Sequence, residues 1–402
     1  MGERTGWKAD ICVVGGAGHV GLPLSLLFAS RGQRVLVYDI NTSAFDRIRG
    51  GEMPFLEQGA EPLLKDALAN DRLRLTGRPD ELAGVPVVII TIGTPVDEFH
   101  SPTLKLIKTC FDEIFPFLSN DQLVVLRSTV YPGVTDWVAR YLRDRGKPIA
   151  VAFCPERTVQ GNAVFEIANL PQIVSGTSPE GEVRASRLFS LLTKETVRLA
   201  PIEAEFAKLC CNAYRYIEFA VANQFYTMMA SAGVDYYRVL EGLQRHYPRA
   251  GNIPRAGLAA GPCLFKDTMQ LSAFCRHEFS IGHAAMLTNE GLPSFILDRL
   301  RQAGPLEGLT VGLLGMAFKA ESDDPRSSLS YKLKKLLAFQ AKEVLTTDPY
   351  VREDRNLIPA DEVVAGSDRL VLCTPHRVYR TLDLRGKPVI DVWNFFGGSA
   401  VA

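Results

Sequence analysis

Short apolar runs alternate with amphipathic stretches over roughly the first half of the chain. These runs predict six strands, at residues 10–15, 34–39, 85–92, 123–128, 149–154 and 172–175. Helical patterns lie between most of them, and such alternation is typical of βαβ units. We therefore predict a parallel sheet with helices on both faces.

The pattern changes after Pro201. Residues 202–232 contain neither glycine nor proline and predict one long helix, followed after Gly233 by a further helical region. The apolar surface of the long helix exceeds a single stripe. This middle segment is therefore expected to join two sheets and to offer a dimerisation face.

The alternation returns at Leu309, with strands predicted at residues 309–317, 343–347, 369–373 and 388–392. The predicted fold class is α/β, with two Rossmann-like parallel-sheet domains joined by a long central helix and a helical middle domain. The expected domain bounds are residues 1–200, 201–305 and 306–402.

Composition narrows the function classes. The chain has 402 residues, and 45 Lys and Arg match 45 Asp and Glu, so no bulk positive field attracts nucleic acid or an anionic membrane. No apolar run reaches the roughly 18 residues of a membrane span, and the charged N-terminus lacks the pattern of a signal peptide. The eight cysteines form no CxxC and no zinc-like cluster, which predicts reduced thiols, no metal and a cytoplasmic protein.

A glycine fingerprint follows the first predicted strand and opens a helix. The three glycines allow a tight turn, close approach of the backbone to a pyrophosphate, and close packing of helix and strand. The helix N-terminus then offers unpaired N–H groups to the phosphates. The predicted dinucleotide contacts of this segment are Gly16, Gly18, His19, Val20 and Gly21.

An acidic residue, Asp39, ends the second predicted strand. A carboxylate there accepts hydrogen bonds from the ribose hydroxyls of the adenosine and repels a 2′-phosphate. The expected cofactor is therefore NAD and not NADP. The alternative interpretation is an acidic turn or helix-capping residue, since Asn41, Thr42 and Ser43 follow.

Several segments beyond the fingerprint resemble the UDP-glucose/GDP-mannose dehydrogenase family. The matching segments are 18–23 (GHVGLP), 51–57 (GEMPFLE), Thr94-Pro95, 128–133 (STVYPG), Pro155-Glu156, 208–212 (KLCCN), 261–267 (GPCLFKD) and 318–326 (FKAESDDPR). They occur in the family's order from residue 11 to about residue 330, whereas the last 70 residues match only in general pattern. The resemblance implies an NAD-binding first domain, a central domain with the catalytic cysteine and the dimer contact, and a C-terminal domain for the nucleotide sugar.

Oxidation of an alcohol to an acid needs two hydride transfers, and a thiolate can hold the reactive aldehyde between them as a thiohemiacetal and then a thioester. Cys263 follows a glycine, and the charged Lys266 and Asp267 come directly after it. The other seven cysteines are interpreted as structural. Lys208 and Asn212 are four apart on one helix face, a spacing suited to holding an oxyanion, although two solvated helix residues would show the same pattern.

The resemblance implies the remaining roles. Asp267 holds a water that relays the first proton, Glu156 activates the water that attacks the thioester, and Thr129 orients that water. The catalytic set is Cys263, Lys208, Asn212, Asp267, Glu156 and Thr129. Further cofactor contacts are Thr94, Pro95, Ser128, Thr129, Lys266 and Arg326. Substrate contacts are Glu156, Arg157, Thr158, Lys208, Asn212, Arg249, Gly261, Phe318 and Lys319, and Arg255 is a further candidate for the diphosphate.

The sugar stays open at this point. The loop 154–161 resembles the N-acetylhexosamine-oxidising branch, with Gln160 where a second glutamate is common, whereas the segment 263–267 resembles the glucose and mannose branches. We favour UDP- or dTDP-glucose as substrate, with a UDP-N-acetylhexosamine as the alternative. Two other classes compete: a hydroxyacid dehydrogenase without a cysteine nucleophile, and a catalytically silent NAD-binding scaffold. A homodimer is the family expectation.

Overall fold

The computed structural model describes residues 6–99, 101–259 and 261–397. The chain falls into two compact units, Met1–Cys210 and Cys211–Ala402. Each unit holds a parallel sheet, so the predicted α/β class is confirmed.

The first unit begins with the glycine fingerprint and a large sheet. Its strands are β1 (Ile11–Val14), β2 (Val35–Tyr38), β3 (Leu73–Thr76), β4 (Val87–Ile90), β5 (Leu123–Leu126), β6 (Ala150–Phe153), β7 (Gln172–Val174) and β8 (Thr196–Arg198). Its helices are α1 (Gly21–Ser30), α2 (Phe45–Arg49), α3 (Ala60–Ala69), α4 (Leu104–Ile114), α5 (Val134–Asp144), α6 (Ala163–Asn169) and α7 (Pro179–Phe189).

Six of these strands form one parallel sheet in the order β3-β2-β1-β4-β5-β6, the order of a Rossmann fold. Near-continuous apolar runs form its central strands because both faces are covered. In β1, Ile11 and Val13 pack with α1, α3, α6 and α7, whereas Cys12 and Val14 pack with α4 and α5. The strand order reverses between β1 and β4, which places a ligand crevice at the carboxyl ends of these two strands.

Two strands of the first unit were not predicted. β3 is an edge strand of four residues with Arg74 in it, so its apolar signal is weak. β8 is short and largely exposed, and it pairs with β7 in a separate two-stranded sheet. The six strands that the apolar runs predicted are all present.

The long helix α8 (Pro201–Ser231) contains the boundary between the units and matches the predicted helix within one residue at each end. The helices that follow are α9 (Tyr236–Gln244), α10 (Leu264–Phe274) and α11 (Ser280–Gln302). The Asp235 carboxylate caps α9 by accepting from two backbone N–H groups. The described residues between α8 and residue 309 form no strand, as the sequence predicted.

The second unit ends in a smaller parallel sheet. Its strands are β9 (Thr310–Leu314), β10 (Glu343–Thr347), β11 (Arg369–Leu372) and β12 (Val389–Ile390), and its last two helices are α12 (Leu329–Leu337) and α13 (Ala360–Gly366). The strand order is β10-β9-β11-β12, and every pair is parallel.

The two sheets share a local arrangement that the sequence did not reveal. Gly15 and Gly315 follow the first strand of each sheet, both have positive φ, and each donates its N–H to the carbonyl at the end of the second strand. Asp39 and Asp348 come next after those second strands, and each carboxylate accepts from the backbone of the glycine turn. The ends of the chain therefore repeat one supersecondary design.

Candidate functional site

The fingerprint turn of the first unit leaves open space where a ligand is expected. A Cβ on Gly16 would lie 2.6 Å from the Val13 carbonyl, and one on Gly21 would lie 2.5 Å from the Gly16 Cα, so packing requires glycine at both. A Cβ on Gly18 would meet only the Gly15 carbonyl at 3.7 Å. The α1 N-terminus behind it has no side-chain cap from Val20 and no acidic residue in its first turn. Its N–H groups and dipole suit a phosphate.

Asp39 lies beside this turn at the end of β2. One oxygen accepts from the Ala17 N–H at 3.1 Å and the other from the Asn41 N–H at 2.9 Å, and the side chain stays partly exposed. A carboxylate has four acceptor positions, so it can still accept from two ribose hydroxyls. Ile40, which is 77% exposed, follows directly. The site expected from the sequence did not include Ile40, although an exposed apolar side chain directly after the acid can offer a surface to an aromatic ring.

His19 of the fingerprint stacks on Phe55, with the ring centroids 4.1 Å apart. Phe55 belongs to the loop 51–57, whose Glu57 carboxylate accepts from the N–H groups of Gly161 and Val164. The loop therefore links the fingerprint to the segment after β6. Sequence matching had singled out both segments but gave no reason for them to meet.

Hydroxyl side chains join the loops after β4 and β5. Thr94 donates its hydroxyl to the Thr129 carbonyl, and Ser128 donates to the Ile92 carbonyl at 2.6 Å. Ser128 is buried, Thr129 is partly exposed and Pro95 is exposed. These predicted cofactor-side residues thus lie together at the carboxyl end of the sheet.

Glu156 is a buried carboxylate held by three donors. Its Oε2 accepts from the Arg127 guanidinium at 2.7 Å, and its Oε1 accepts from the N–H groups of Arg157 and Thr158 at 2.8 and 2.9 Å. Burial raises the pKa of Glu156, but Arg127, the Thr158 amide and the charge of Lys208 outweigh it, so the pKa lies below its usual value of 4.5. The group is ionised at neutral pH, and a carboxylate with a lowered pKa is a weaker base.

Arg157 and Thr158, which follow Glu156, form hydrogen bonds within the first unit. The Arg157 guanidinium donates to the Pro171 carbonyl, and the Thr158 N–H is bound to Glu156. The Gln160 side chain lies where sequence comparison expected an acid, so it provides no base there. These hydrogen bonds therefore fix the conformation of the segment after Glu156.

Lys208 and Asn212 are buried residues one turn apart on α8, with 8% and 5% exposure. Burial excludes the interpretation of both as solvated helix residues. The positive charge of Lys208 helps to lower the pKa of Glu156, which lies in the same unit. Within the second unit, the Asn212 side-chain amide donates to the Asp267 carboxylate at 2.5 Å, and Asp267 has no exposed surface.

Cys263 is exposed and lies at the N-cap position of α10. Its carbonyl accepts from the Asp267 N–H at 2.9 Å, and Lys266 forms an ion pair of 2.8 Å with Asp267. A helix N-terminus favours a thiolate over a thiol. Arg326 adds a cation: its pKa is raised by Asp324 first and also by the charge of Cys263.

Phe318 packs against the turn before the cysteine. Gly261 has φ +112°, and a Cβ there would lie 2.5 Å from the Phe318 ring. The Phe318 N–H donates to the Asp324 carbonyl, which closes the loop that also carries Lys319 and Arg326. The structure thus brings together two segments that the sequence had placed in the substrate site separately.

Two arginines predicted near a diphosphate behave differently. Arg249 lies on an exposed turn, with its guanidinium over the Tyr247 ring at 5.8 Å. Arg255 donates to the carbonyls of Trp393 and Asn394, so its guanidinium holds the loop after β12.

Among the described residues, no group of three or more His, Cys, Asp or Glu side chains is placed to hold a metal ion. No described helix is both long and apolar enough to cross a membrane. None of the eight cysteines forms a disulfide in the described chain.

Comparison with protein families finds three matching models that follow one another along the chain. They describe the UDP-glucose/GDP-mannose dehydrogenase family: its NAD-binding domain at residues 9–193, its central domain at 202–290 and its UDP-binding domain at 312–398.

Similar proteins of known name span nearly the whole chain. A UDP-N-acetyl-D-mannosamine dehydrogenase of Pyrococcus horikoshii is 30% identical, covering 94% of this chain and 93% of its own. An NDP-N-acetyl-D-galactosaminuronic acid dehydrogenase of Ralstonia nicotianae is 28% identical, covering 96% of each chain. A solved UDP-glucose dehydrogenase of Pyrobaculum islandicum has a TM-score of 0.89 at 27% identity, covering 98% of this chain and 97% of its own.

Proposed function

This chain belongs to the UDP-glucose/GDP-mannose dehydrogenase family, and on that premise we propose that it oxidises the C6 alcohol of a UDP-N-acetylhexosamine to the carboxylate. The class, an NAD-dependent oxidoreductase acting on nucleotide sugars, comes with the family. The observation that carries the proposed chemistry is Cys263, an exposed thiol at the N-terminus of α10, one turn before the Asn212–Asp267 pair.

The proposed reaction removes two hydrides and adds one water oxygen. First the C6 hydroxyl loses its proton and C6 loses a hydride, which leaves an aldehyde. The Cys263 thiolate adds to the aldehyde carbon, and the protonated thiohemiacetal then loses its hydroxyl proton and a second hydride to become a thioester. Water cleaves the C–S bond, which releases the carboxylate and returns the thiol. NAD accepts both hydrides, so each sugar yields two NADH.

The roles of the other side chains are proposals that rest on charge and burial. Lys208 and the Asn212 amide are donors suited to an alkoxide or a tetrahedral oxyanion. Asp267 accepts from the Asn212 amide and forms an ion pair with Lys266, and its proposed role is to fix that amide and hold a relay water. Glu156, ionised and buried, is the proposed acceptor of a proton from the hydrolytic water, and Thr129, in the loop after the adjacent strand β5, is proposed to orient that water.

The choice of an N-acetylhexosamine departs from our sequence-based preference for UDP- or dTDP-glucose. Two features support it: the loop 154–161 resembles the N-acetylhexosamine branch, and the named relatives of Pyrococcus horikoshii and Ralstonia nicotianae act on N-acetylated sugars. Glucose remains the second candidate because a UDP-glucose dehydrogenase matches the fold with a TM-score of 0.89.

The proposal also assigns a function to each of the three expected domains. We assign NAD to residues 1–200, the nucleophile and dimer contact to 201–305, and the nucleotide end of the substrate to 306–402. The fit to NAD rests on the open space at Gly18 and on the partly exposed Asp39 carboxylate. A homodimer and a cytoplasmic location belong to the proposal as well.

The deciding experiment counts NADH formed per sugar nucleotide consumed, with NAD in excess. The panel contains UDP-N-acetyl-D-mannosamine, UDP-N-acetyl-D-galactosamine, UDP-N-acetyl-D-glucosamine, UDP-glucose, dTDP-glucose and GDP-mannose. Two NADH per molecule with one N-acetylated member, and uronate as product, would support the proposal. Two NADH with UDP-glucose alone would keep the reaction and correct the sugar.

One NADH per sugar would instead indicate a simple alcohol dehydrogenase without a thioester. No turnover with any member, together with measurable NAD binding, would favour the silent scaffold. The presence of Cys263 and of the α/β region at residues 309–394 argues against the first alternative, and the presence of Cys263, Lys208 and Asp267 argues against the second.

A further inference from the structure

Arg127 is a buried arginine that follows β5 and has no exposed side-chain surface. Its Nη1 donates to the carbonyls of Cys154 and Pro155 at 3.0 and 3.2 Å and to the Gln172 side chain at 2.9 Å. Its Nη2 donates to the Glu156 carboxylate at 2.7 Å. One guanidinium therefore holds the backbone of residues 154–155 and the carboxylate that follows.

Burying the Arg127–Glu156 ion pair costs desolvation free energy. A guanidinium stays charged in proteins, and taking two charges out of water costs more than an isolated ion pair usually returns. Glu156 supplies the balancing carboxylate, and the Phe189 ring lies 4.9 Å from the guanidinium carbon as a further cation–π contact. Replacing a buried ion pair by well-packed apolar residues is often neutral or stabilising, so the ion pair is weak evidence of a purely stabilising role.

The charges around Glu156 come from several elements. Arg127 approaches from the end of β5, and Lys208 acts from α8. On the segment itself, the N–H groups of Arg157 and Thr158 bind the other oxygen. The carboxylates of Glu57 and Glu166 bind backbone N–H groups further along, at residues 159–164. Arg127 is the cation in direct contact with the Glu156 carboxylate.

We propose that Arg127 is a positioning residue for the reaction, which fixes the Glu156 carboxylate in place and in its charged form from behind the 154–158 segment. The inference rests on the proposed function, because it gives Glu156 a part in handling the hydrolytic water. Arg127 touches neither substrate nor cofactor in this account and acts only through Glu156. Its effect is therefore on the pH range of turnover and on the release of the thioester.

The test compares Arg127→Gln with Arg127→Lys. Glutamine keeps donors for the carbonyls but removes the charge, so the acid limb of the kcat–pH profile should move to higher pH by about one to three units. Lysine keeps the charge and should leave that limb in place, although kcat falls because one point donor replaces a fork. Rates are measured from about pH 3 to about pH 9, because the wild-type limb lies below the ordinary glutamate range, with UDP-N-acetyl-D-mannosamine or with whichever panel member the wild type oxidises.

A pre-steady-state measurement gives a second readout. If Glu156 serves thioester hydrolysis, Arg127→Gln should release a burst of two NADH per active site and then turn over slowly. The matched control is Gln172→Met, which removes another partner of Arg127 but leaves the Arg127–Glu156 contact; it should lower thermal stability without moving the acid limb.

An acid limb that stays at the wild-type pH in a folded Arg127→Gln protein, with no burst, would overturn the inference and leave Arg127 a structural residue. Should that variant not fold, Arg127→Lys decides: a displaced limb, or a lowered kcat without a burst of two NADH, overturns the inference, and an unmoved limb with that burst supports it. These outcomes presuppose two NADH per sugar in the wild type, so failure of the proposed function itself is recognised separately.

Discussion

At the scale of single residues, the position of a thiol decides its chemistry. Cys154 and Cys373 are buried, and burial raises the pKa of each to about 12, so both stay protonated at neutral pH. Cys263 is exposed at a helix N-terminus and interacts with the charge of Arg326, two features that favour a thiolate. Cys210, Cys211 and Cys275 are exposed as well, against our expectation of buried structural cysteines, so the helix N-terminus and not exposure alone singles out Cys263.

Cys263→Ser is expected to stop acid formation, because a serine hydroxyl forms no thioester. Uronate production should fall by about 10³-fold or more, measured by chromatography of the nucleotide product. The matched control is Cys275→Ser at the C-terminal end of the same helix, which should stay within about twofold of the wild-type rate. Full acid production by the Cys263 variant would refute the covalent route.

Asp39 makes a second prediction at this scale. In Asp39→Asn, a neutral amide no longer repels a 2′-phosphate and binds the ribose hydroxyls less strongly. The ratio of kcat/KM for NAD to that for NADP should fall by about tenfold or more. Asp46→Asn, a change at a 98% exposed side chain on α2, is the control. An unchanged ratio would show that the Asp39 carboxylate does not contact the ribose.

At the scale of elements, the candidate site residues of each unit lie on loops that follow strands or precede helices. The fingerprint turn joins β1 to α1, the 154–158 segment follows β6, and Cys263 begins α10. A rigid sheet or helix fixes one end of each segment, which explains how a flexible backbone holds a carboxylate or a thiol in one place. At Gly261, in the loop before Cys263, the Phe318 ring leaves no space for a side chain.

Gly261→Ala tests that contact. The added methyl would meet the Phe318 ring, and the φ of +112° is strained for any L-residue, so the free energy of unfolding should fall by about 1–3 kcal/mol. We also expect the KM for the nucleotide sugar to rise while the KM for NAD stays unchanged. Gly242→Ala on α9, where a Cβ meets nothing within 4 Å, should be neutral or slightly stabilising. Equal effects of both changes in urea unfolding would contradict this account.

At the scale of the whole molecule, part of the apolar surface of α8 stays exposed. Four exposed side chains spaced by three, four and seven residues form what we term the α8 stripe. Its members are Tyr214, Val221, Phe225 and Met228. Such a stripe on one helix face is typical of a protein–protein contact. It agrees with the homodimer that the sequence predicted, which remains a prediction.

Met228→Glu should therefore weaken self-association. A charge within an apolar contact is left desolvated and unpaired, so the sedimentation coefficient should shift from dimer to monomer at micromolar concentration. Phe339→Glu, at an 89% exposed side chain outside the stripe, is the control and should leave the assembly unchanged. A wild-type protein that sediments as a monomer would contradict the prediction outright.

An aspartate follows the second strand of each sheet, but the two aspartates differ in their surroundings. Asp348 occupies the position that Asp39 has in the first sheet, but its carboxylate accepts from Met316, Ala317 and His376 and has no exposed surface. His376 lowers the pKa of Asp348 against the effect of burial, so the carboxylate stays charged while it fixes the turn after β9. This acid organises its own domain, whereas Asp39 keeps room for a ligand.

The sequence by itself determined the features that depend on near neighbours. Apolar runs specify buried strands because each strand needs both faces covered, and the glycines at 16 and 21 are required by backbone contacts within a few residues or with the next strand. The long helix and the family motifs were equally readable, which is why fold class, family and NAD were all predicted correctly.

Only the tertiary structure decided which distant groups meet. The Arg127–Glu156 ion pair spans 29 positions, the Asn212–Asp267 hydrogen bond spans 55, and the partners of Asp348 cannot be read from any local pattern. These contacts form when the elements pack, because a buried charge without a hydrogen-bond or ion-pair partner has a large desolvation free energy. Local sequence thus specified the elements and the candidate chemistry, and packing selected the partners that set the charge state of each group.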